Sequence, residues 1–381
     1  MATFTGQLRT NEIYGALYNM IISQRVFADN IAGEGGELVD KARVDGSLYG
    51  DTKLYYSTDA LHSKEWGADA EATNLLALHR PSAPETQAVV LDIFRQVSLS
   101  LDEYLSKRAW MNEGAFASFN AVMMGWLRDT KRIYDATTYN AFIGNTTATG
   151  SDQNISIKLS DVDADASLNS KEKSERKAQL IAEEIADLLV LLKNPSRKFN
   201  DYGHIRSYEL GRIKIIWNSK FANEIRKVDL PTIFHNAGLI DKFDGSDMLP
   251  PYYFGTGIQS VEANDTLGDL TGFVAGTSEV YSAIEQELEL DSVEKELFAG
   301  EIVADKTALG TDAFGTDAQV YIADPSVICK VVVELPPFMS AFEVGTSFFN
   351  AKSLTTNHYL TWGHNTLEYL KNYPFITIKA N

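Results

Sequence analysis

The stretch Asn112–Asn145, NEGAFASFNAVMMGWLRDTKRIYDATTYNAFIGN, decides how this chain is read. Phe116, Phe119, Met123, Trp126, Leu127, Ile133 and Tyr134 recur at three- and four-residue steps, with Arg128, Asp129, Lys131 and Arg132 between them. That spacing predicts one long half-buried helix, and Asn112 and Glu113 supply capping groups at its start. Its apolar stripe is longer than the adjacent segments could cover, so distant parts of the chain must return to it. The helix reads as a strut.

The chain has 381 residues, enough for a sizeable core and for about two or three domains. Its formal net charge is −18 and no basic run occurs, which argues against a dedicated DNA-binding surface. Cys329 is the single cysteine and sits in an apolar run, so no disulfide framework or thiolate metal site is expected. Met1–Asn11 is polar, and no apolar run is long enough to cross a bilayer, so neither secretion nor membrane insertion is expected. Seventeen tyrosines and nineteen phenylalanines favour a dense core or extensive protein contacts.

Residues 1–36 carry a short amphipathic piece (Ile13, Leu17, Met20, Ile21, Ile22) and end in a glycine-rich turn, too little to hold a core of their own. From Glu37 to Trp110, strand pieces and loops are expected: Lys53–Tyr56, then Ala88–Asp102, where Val89, Leu91, Ile93, Val97, Leu99 and Leu101 alternate with polar neighbours. The polar, proline-punctuated Ser57–Pro84 between them suggests a long projecting hairpin.

After the strut come a turn at Gly144–Ser151, a strand at Ile155–Leu159 and a solvated loop bearing Asp161, Asp163 and Asp165. Lys171–Lys193 has an apolar face of Ala178, Ile181, Ile185, Leu188, Leu189 and Leu192 and predicts a second helix, stopped by Asn194-Pro195. Arg212–Asn218 reads as a buried strand, Ser219–Lys227 as a short helix and Pro231–Leu239 as a further strand or turn. Gly245–Thr316 reads as surface excursions, including the acidic tract Glu285–Glu296 and a GTDA repeat read as two turns. The chain closes with strands at Gln319–Ile322, Val327–Leu335, His358–Trp362 and Phe375–Lys379. The class is α+β.

Chemical signatures are few. There is no phosphate loop, no dinucleotide fingerprint and no His pair at zinc spacing. His358 and His364 could face each other on adjoining strand segments, though ordinary strand roles suit them better. Asp241, Asp244 and Asp247 lack the spacing and the bidentate Glu of a calcium loop. Ser170 and Lys173 fit a charged helix start, where a serine caps. The acidic tract reads as a solvated helix face. No residue is assigned a catalytic, cofactor-binding or metal-ligating role, and no cofactor is expected.

Val97–Ser106, Glu113–Asn145, Leu210–Arg226 and the ending Asn357–Ala380, NHYLTWGHNTLEYLKNYPFITIKA, carry a resemblance in the order of parts. An arm, an extended hairpin, a strut helix, a compact α/β domain and late-returning strands together resemble the Johnson fold of tailed-bacteriophage major capsid proteins, in its podophage variety. The resemblance implies an N-terminal arm (1–36), an E-loop (37–110), a P-domain spine helix and strand (111–160), an A-domain (161–305) and P-domain return strands (306–381). It further implies a non-enzymatic subunit that assembles with copies of itself as hexamers and pentamers into an icosahedral virion shell around DNA. Glu37–Trp110 would lie over a neighbour, and Asn194–Ser207 or Asp241–Gly257 near the capsomer axis. A separate scaffolding protein and a portal are implied partners, with assembly in the host cytoplasm, no specific grip on DNA and no membrane. An encapsulin-like compartment shares this fold. An acidic soluble hydrolase is the rival of another class and predicts a deep pocket with convergent carboxylates.

Overall fold

The structure, a computed structural model, describes residues 37–46, 50–61, 63, 80–102, 113–227, 247–261, 279–282, 301–302 and 318–381. The arm 1–36, residues 64–79 of the expected hairpin, Pro231–Leu239, Glu285–Glu296 and most of the GTDA repeat lie outside them.

In chain order the described elements are α1 (Glu37–Ala42), β1 (Arg43–Asp45), β2 (Thr52–Ser57), β3 (Glu85–Asp102), α2 (Glu113–Asn145) and β4 (Asn154–Ile157). Then come α3 (Ser160–Ala164), α4 (Ser170–Lys193), β5 (Lys214–Asn218), α5 (Ser219–Lys227), β6 (Asp247–Leu249), β7 (Gly255–Val261) and β8 (Glu279–Ser282). β9 (Glu301–Ile302), β10 (Ala318–Ala323), β11 (Val327–Val332), β12 (Phe338–Asn350), β13 (Thr355–Asn365) and β14 (Phe375–Ala380) complete the chain. The fold is α+β. The strut helix stands where its periodicity placed it, 33 residues long, or about 50 Å at the α-helical rise.

The chain forms two compact units. The first comprises Met1–Thr52, Val90–Thr137 and Phe338–Thr366. Its strands run in the order β1-β12-β13-β3, with β1 parallel to β12 and the other pairs antiparallel. Leu127 and Tyr134 of α2 pack on Leu360 and Trp362 of β13, flanked by Val97 and Leu99 of β3. Tyr134 meets Trp362 edge to face at 5.5 Å. Gly363 lies opposite Phe94, whose ring occupies the space a side chain would need.

The second unit comprises Lys53–Val89, Thr138–Pro337 and Leu367–Asn381. Its five-stranded sheet has the order β4-β14-β11-β5-β6, and a four-stranded antiparallel sheet has the order β7-β10-β8-β9. Every residue of central β11 is buried, as expected of a strand with neighbours on both edges and cover on its faces. Helix α4 is opened by a capping box, Asn169 accepting from the backbone of Glu172 while the Glu172 carboxylate accepts from Asn169. It buries Ile181, Ile185, Leu188 and Leu192 in one cluster with Ile215, Trp217, Ile328 and Ile376. Near the end of α2, a Cβ on Gly144 would overlap the Tyr253 carbonyl oxygen, so glycine permits this close backbone approach.

Several expectations need correcting. Glu37–Ala42 is a helix rather than strand or loop, because Leu38, Val39 and Ala42 form a buried helical stripe. Asp161 and Asp163 lie on the short helix α3 instead of a loop. Asn169, not Ser170, caps α4. On α2, Trp126 is 47% exposed while Lys131 is buried. Lys131 is in helical phase with Leu127, Tyr134 and Asp135, and the Asp135 carboxylate 2.9 Å from its ammonium satisfies the charge. Strand β12, absent from the sequence reading, is a 13-residue partner of both β1 and β13.

Candidate functional site

In the second unit, the segments that lead into and out of residues 58–84 are anchored by polar contacts. Ser57, at the end of β2, is buried and donates its hydroxyl proton to Asn372 Oδ1 at 2.5 Å. Arg206 Nε donates to that same Oδ1 at 3.2 Å, which fixes it as an acceptor. The ring nitrogen Nδ1 of His204, 2.8 Å from Ser57 Oγ, must then carry the proton and donate. A serine–histidine pair in this state is no nucleophile, since Nδ1 has no lone pair for the hydroxyl proton. It is a structural clamp.

Asp59 extends the clamp by accepting from Ile205 N at 2.9 Å and Arg197 Nη1 at 2.7 Å. The Ile205 N–H and then the Arg197 guanidinium hold its carboxyl well below the usual range. At the start of β3, Gln87 is buried and bonds the backbone of Tyr369 and Lys371 at 2.9 and 3.0 Å. Both ends of the 58–84 segment are thus fixed, while Leu54, Tyr56 (64% exposed) and Leu61 face solvent. Exposed apolar side chains on an anchored strand suit a contact surface.

In the first unit, α2 is bonded to its sheet through buried polar groups. His364 donates from Nδ1 to the Asn365 carbonyl at 2.9 Å, leaving Nε2 to accept the Tyr134 hydroxyl proton at 2.7 Å. Arg95 Nε donates to the Tyr134 oxygen at 3.2 Å. Burial lowers the His364 pKa, with Arg95 adding to the effect while the Asn365 carbonyl, Asp135 and Asp92 oppose it. Asp135 Oδ2 accepts from Lys131 and, at 3.4 Å, from Arg43. His358 and His364 therefore do not face each other on adjoining segments: both lie on β13, paired with Leu99 and Ile93 of β3.

Among the described residues, no group of three or more His, Cys, Asp or Glu is placed to hold a metal ion, and no helix is long and apolar enough to cross a membrane. The second unit has an open groove of about 850 Å³ lined by Asp161, Asp165, Glu172, Glu175, Glu183 and Asp187, with Lys158 and Arg176 among them. Asp165 is held ionised by the Ser167 hydroxyl at 2.6 Å and the Ser167 backbone N–H, its pKa lowered. Cys329 is fully buried, and burial pushes its thiol well above the usual range. Asp241, Asp244, His62, His79 and His235 lie outside the described residues.

Over its whole length the chain resembles a chain of the capsid structure of Staphylococcus phage Andhra, with a TM-score of 0.58 at 11% identity, covering 100% of this chain and 94% of that one. A chain from the structure of the head fiber and inner core protein gp22 of native bacteriophage P68 gives 0.55 at 11% identity, covering 89% and 83%. No protein-family model and no curated protein matches the sequence. The fold is therefore one shared with a chain of a phage capsid.

Proposed function

We propose that this chain is the major capsid protein of a tailed bacteriophage, a non-enzymatic subunit whose copies assemble as hexamers and pentamers into an icosahedral shell around packaged DNA. The observation that carries this proposal is the likeness of fold across the full chain to a phage capsid chain that is itself almost fully covered. In this assignment 1–36 is the N-terminal arm, 37–110 the E-loop, 111–160 the P-domain spine helix and strand, 161–305 the A-domain and 306–381 the P-domain return strands. Two physical features support it. Apolar side chains left in water gain by burial, so the exposed Leu54, Tyr56 and Leu61 favour contact with a neighbour. Many modest contacts closed by symmetry then give a stable particle. The acidic balance suits a container that leaves DNA free. A separate scaffolding protein and a portal complete the proposed set of partners, with the mature protein located in the virion.

The test removes residues 61–80 while keeping Ser57, Asp59 and Gln87. The expected product has the far-ultraviolet circular dichroism and melting behaviour of the full chain but forms no closed particles. Loss of folding would place the segment in a globular core and contradict the assignment.

A further inference from the structure

Helix α4 closes the core of the second unit with one side, through Ala178, Ile181, Ile185, Leu188 and Leu192. By helical phase Glu183, Asp187, Val190 and Leu191 share the opposite side. Glu183 and Asp187 belong in water, but Val190 is 60% and Leu191 51% exposed. Two neighbouring large apolar side chains left in solvent at the end of an acidic helix face mark a contact surface. Toward the other end of α4 the same face borders the open groove of about 850 Å³, which β4 and α3 also line. The groove is apolar as well as acidic: Val162, Leu168 and Leu180, each buried or half-buried, line it beside the carboxylates. The nearby ion pairs, Lys171 with Glu175 at 3.6 Å and Lys177 with Asp163 at 2.7 Å, do not involve Asp161, Glu183 or Asp187.

We propose that this face of α4, with its groove, docks a basic amphipathic helix of a different protein. The inference goes beyond the capsid function and stands without it, because docking is a property of the free chain. Charge selects the partner. Among the described residues the groove is lined by seven carboxylates against two cations, Lys158 and Arg176, so a cationic segment is attracted while nucleic acid and anionic lipid are repelled. A second copy is a poor occupant, since it brings a net charge of −18 and no basic run. The apolar lining adds a second requirement. A uniformly charged segment would set polar groups against Leu180, Val190 and Leu191, whereas apolar side chains between the cations cover them. Glu183, Asp187 and Leu191 follow one another at four-residue steps. A partner helix with the same spacing of cations and apolar anchors meets them in turn.

The test is fluorescence anisotropy of a short labelled peptide, with lysine and leucine at helical spacing, titrated with the full-length chain at physiological salt. Saturable binding is expected, and the same peptide with serine for leucine, equal in charge, should bind more weakly by about tenfold or more. Glu183→Gln combined with Asp187→Asn, and separately Val190→Ser combined with Leu191→Ser, should melt like the parent and each lose about tenfold in affinity. Asp152→Asn combined with Glu368→Gln removes the same charge from exposed positions of the second unit outside the groove and should leave affinity within about twofold. No binding by the parent would overturn the proposal. Equal losses in the control pair would reduce the effect to net charge, and equal binding of the serine peptide would leave the apolar lining without a role; either result overturns it. If the groove variants instead change only the sedimentation of the chain by itself, a second copy occupies the face and the proposal falls.

Discussion

The two units combine apolar packing and buried polar contacts in different balance around their central elements. The second buries β11 completely and joins it to α4 and β5 in a broad apolar cluster. The first sets Leu127, Tyr134, Leu360 and Trp362 beside buried polar groups, Lys131, Asp135, His364 and Asn365. Apolar burial is non-directional and tolerates modest repacking, whereas a buried polar network is satisfied in one geometry only. In the second unit the broad apolar cluster dominates, while in the first unit hydrogen bonds fix the seating of α2 on its sheet.

The largest expected effect lies in the apolar unit. Trp217→Ala should cost about 3–5 kcal/mol in denaturant unfolding of the full chain, the range for emptying a fully buried aromatic site. A cost below about 1 kcal/mol would mean that this core is not close-packed. In the polar unit, Asp135→Ala withdraws the carboxylate from Lys131 and Arg43 inside the protein and should cost about 3 kcal/mol or more. If it proves neutral, the proposed difference between the units disappears.

Smaller effects are read through pH. Lys330, in the buried strand β11, donates to the Thr146 carbonyl at 2.7 Å and Thr377 Oγ1 at 2.9 Å. Burial pulls its pKa down to about 7 from 10.5, with Lys379 adding to the shift. Between these values only the unfolded chain is fully protonated, so stability falls as pH is lowered from about 10.5 to 7 and levels off below. Lys330→Met should therefore gain on the parent, by an amount on the order of a few kcal/mol, as pH drops across that window. A difference independent of pH would refute the lowered pKa. His364 works in the same sense at lower pH. Its folded pKa lies below the ordinary 6.5, so the first unit should lose stability as pH falls through 6.5 toward the folded value. His364→Gln, which keeps an acceptor for the Tyr134 hydroxyl, should flatten that slope; an unchanged slope would assign it to other groups.

Helices α2 and α4 were legible because their apolar residues keep a 3.6-residue period, and β11 because VICKVV is a nearly unbroken apolar run. The phase of α2 was only half legible. Trp126 is the more hydrophobic residue, but the buried position went to Lys131, whose partner Asp135 one turn on could have signalled it. Strand β12 was hidden because Phe348 and Phe349 occupy opposite faces, which breaks alternation, and because Pro336-Pro337 precede it and Gly345 interrupts it. The clamp on Ser57 was illegible in principle: His204 and Asn372 lie 147 and 315 residues away, and no local spacing encodes such contacts.

The most direct test of the central claim is electron microscopy of the full-length chain assembled in the presence of its proposed scaffolding partner. Closed icosahedral particles built from hexamers and pentamers are predicted. A uniform population of monomers or small compact oligomers, with no tendency to close, would contradict it.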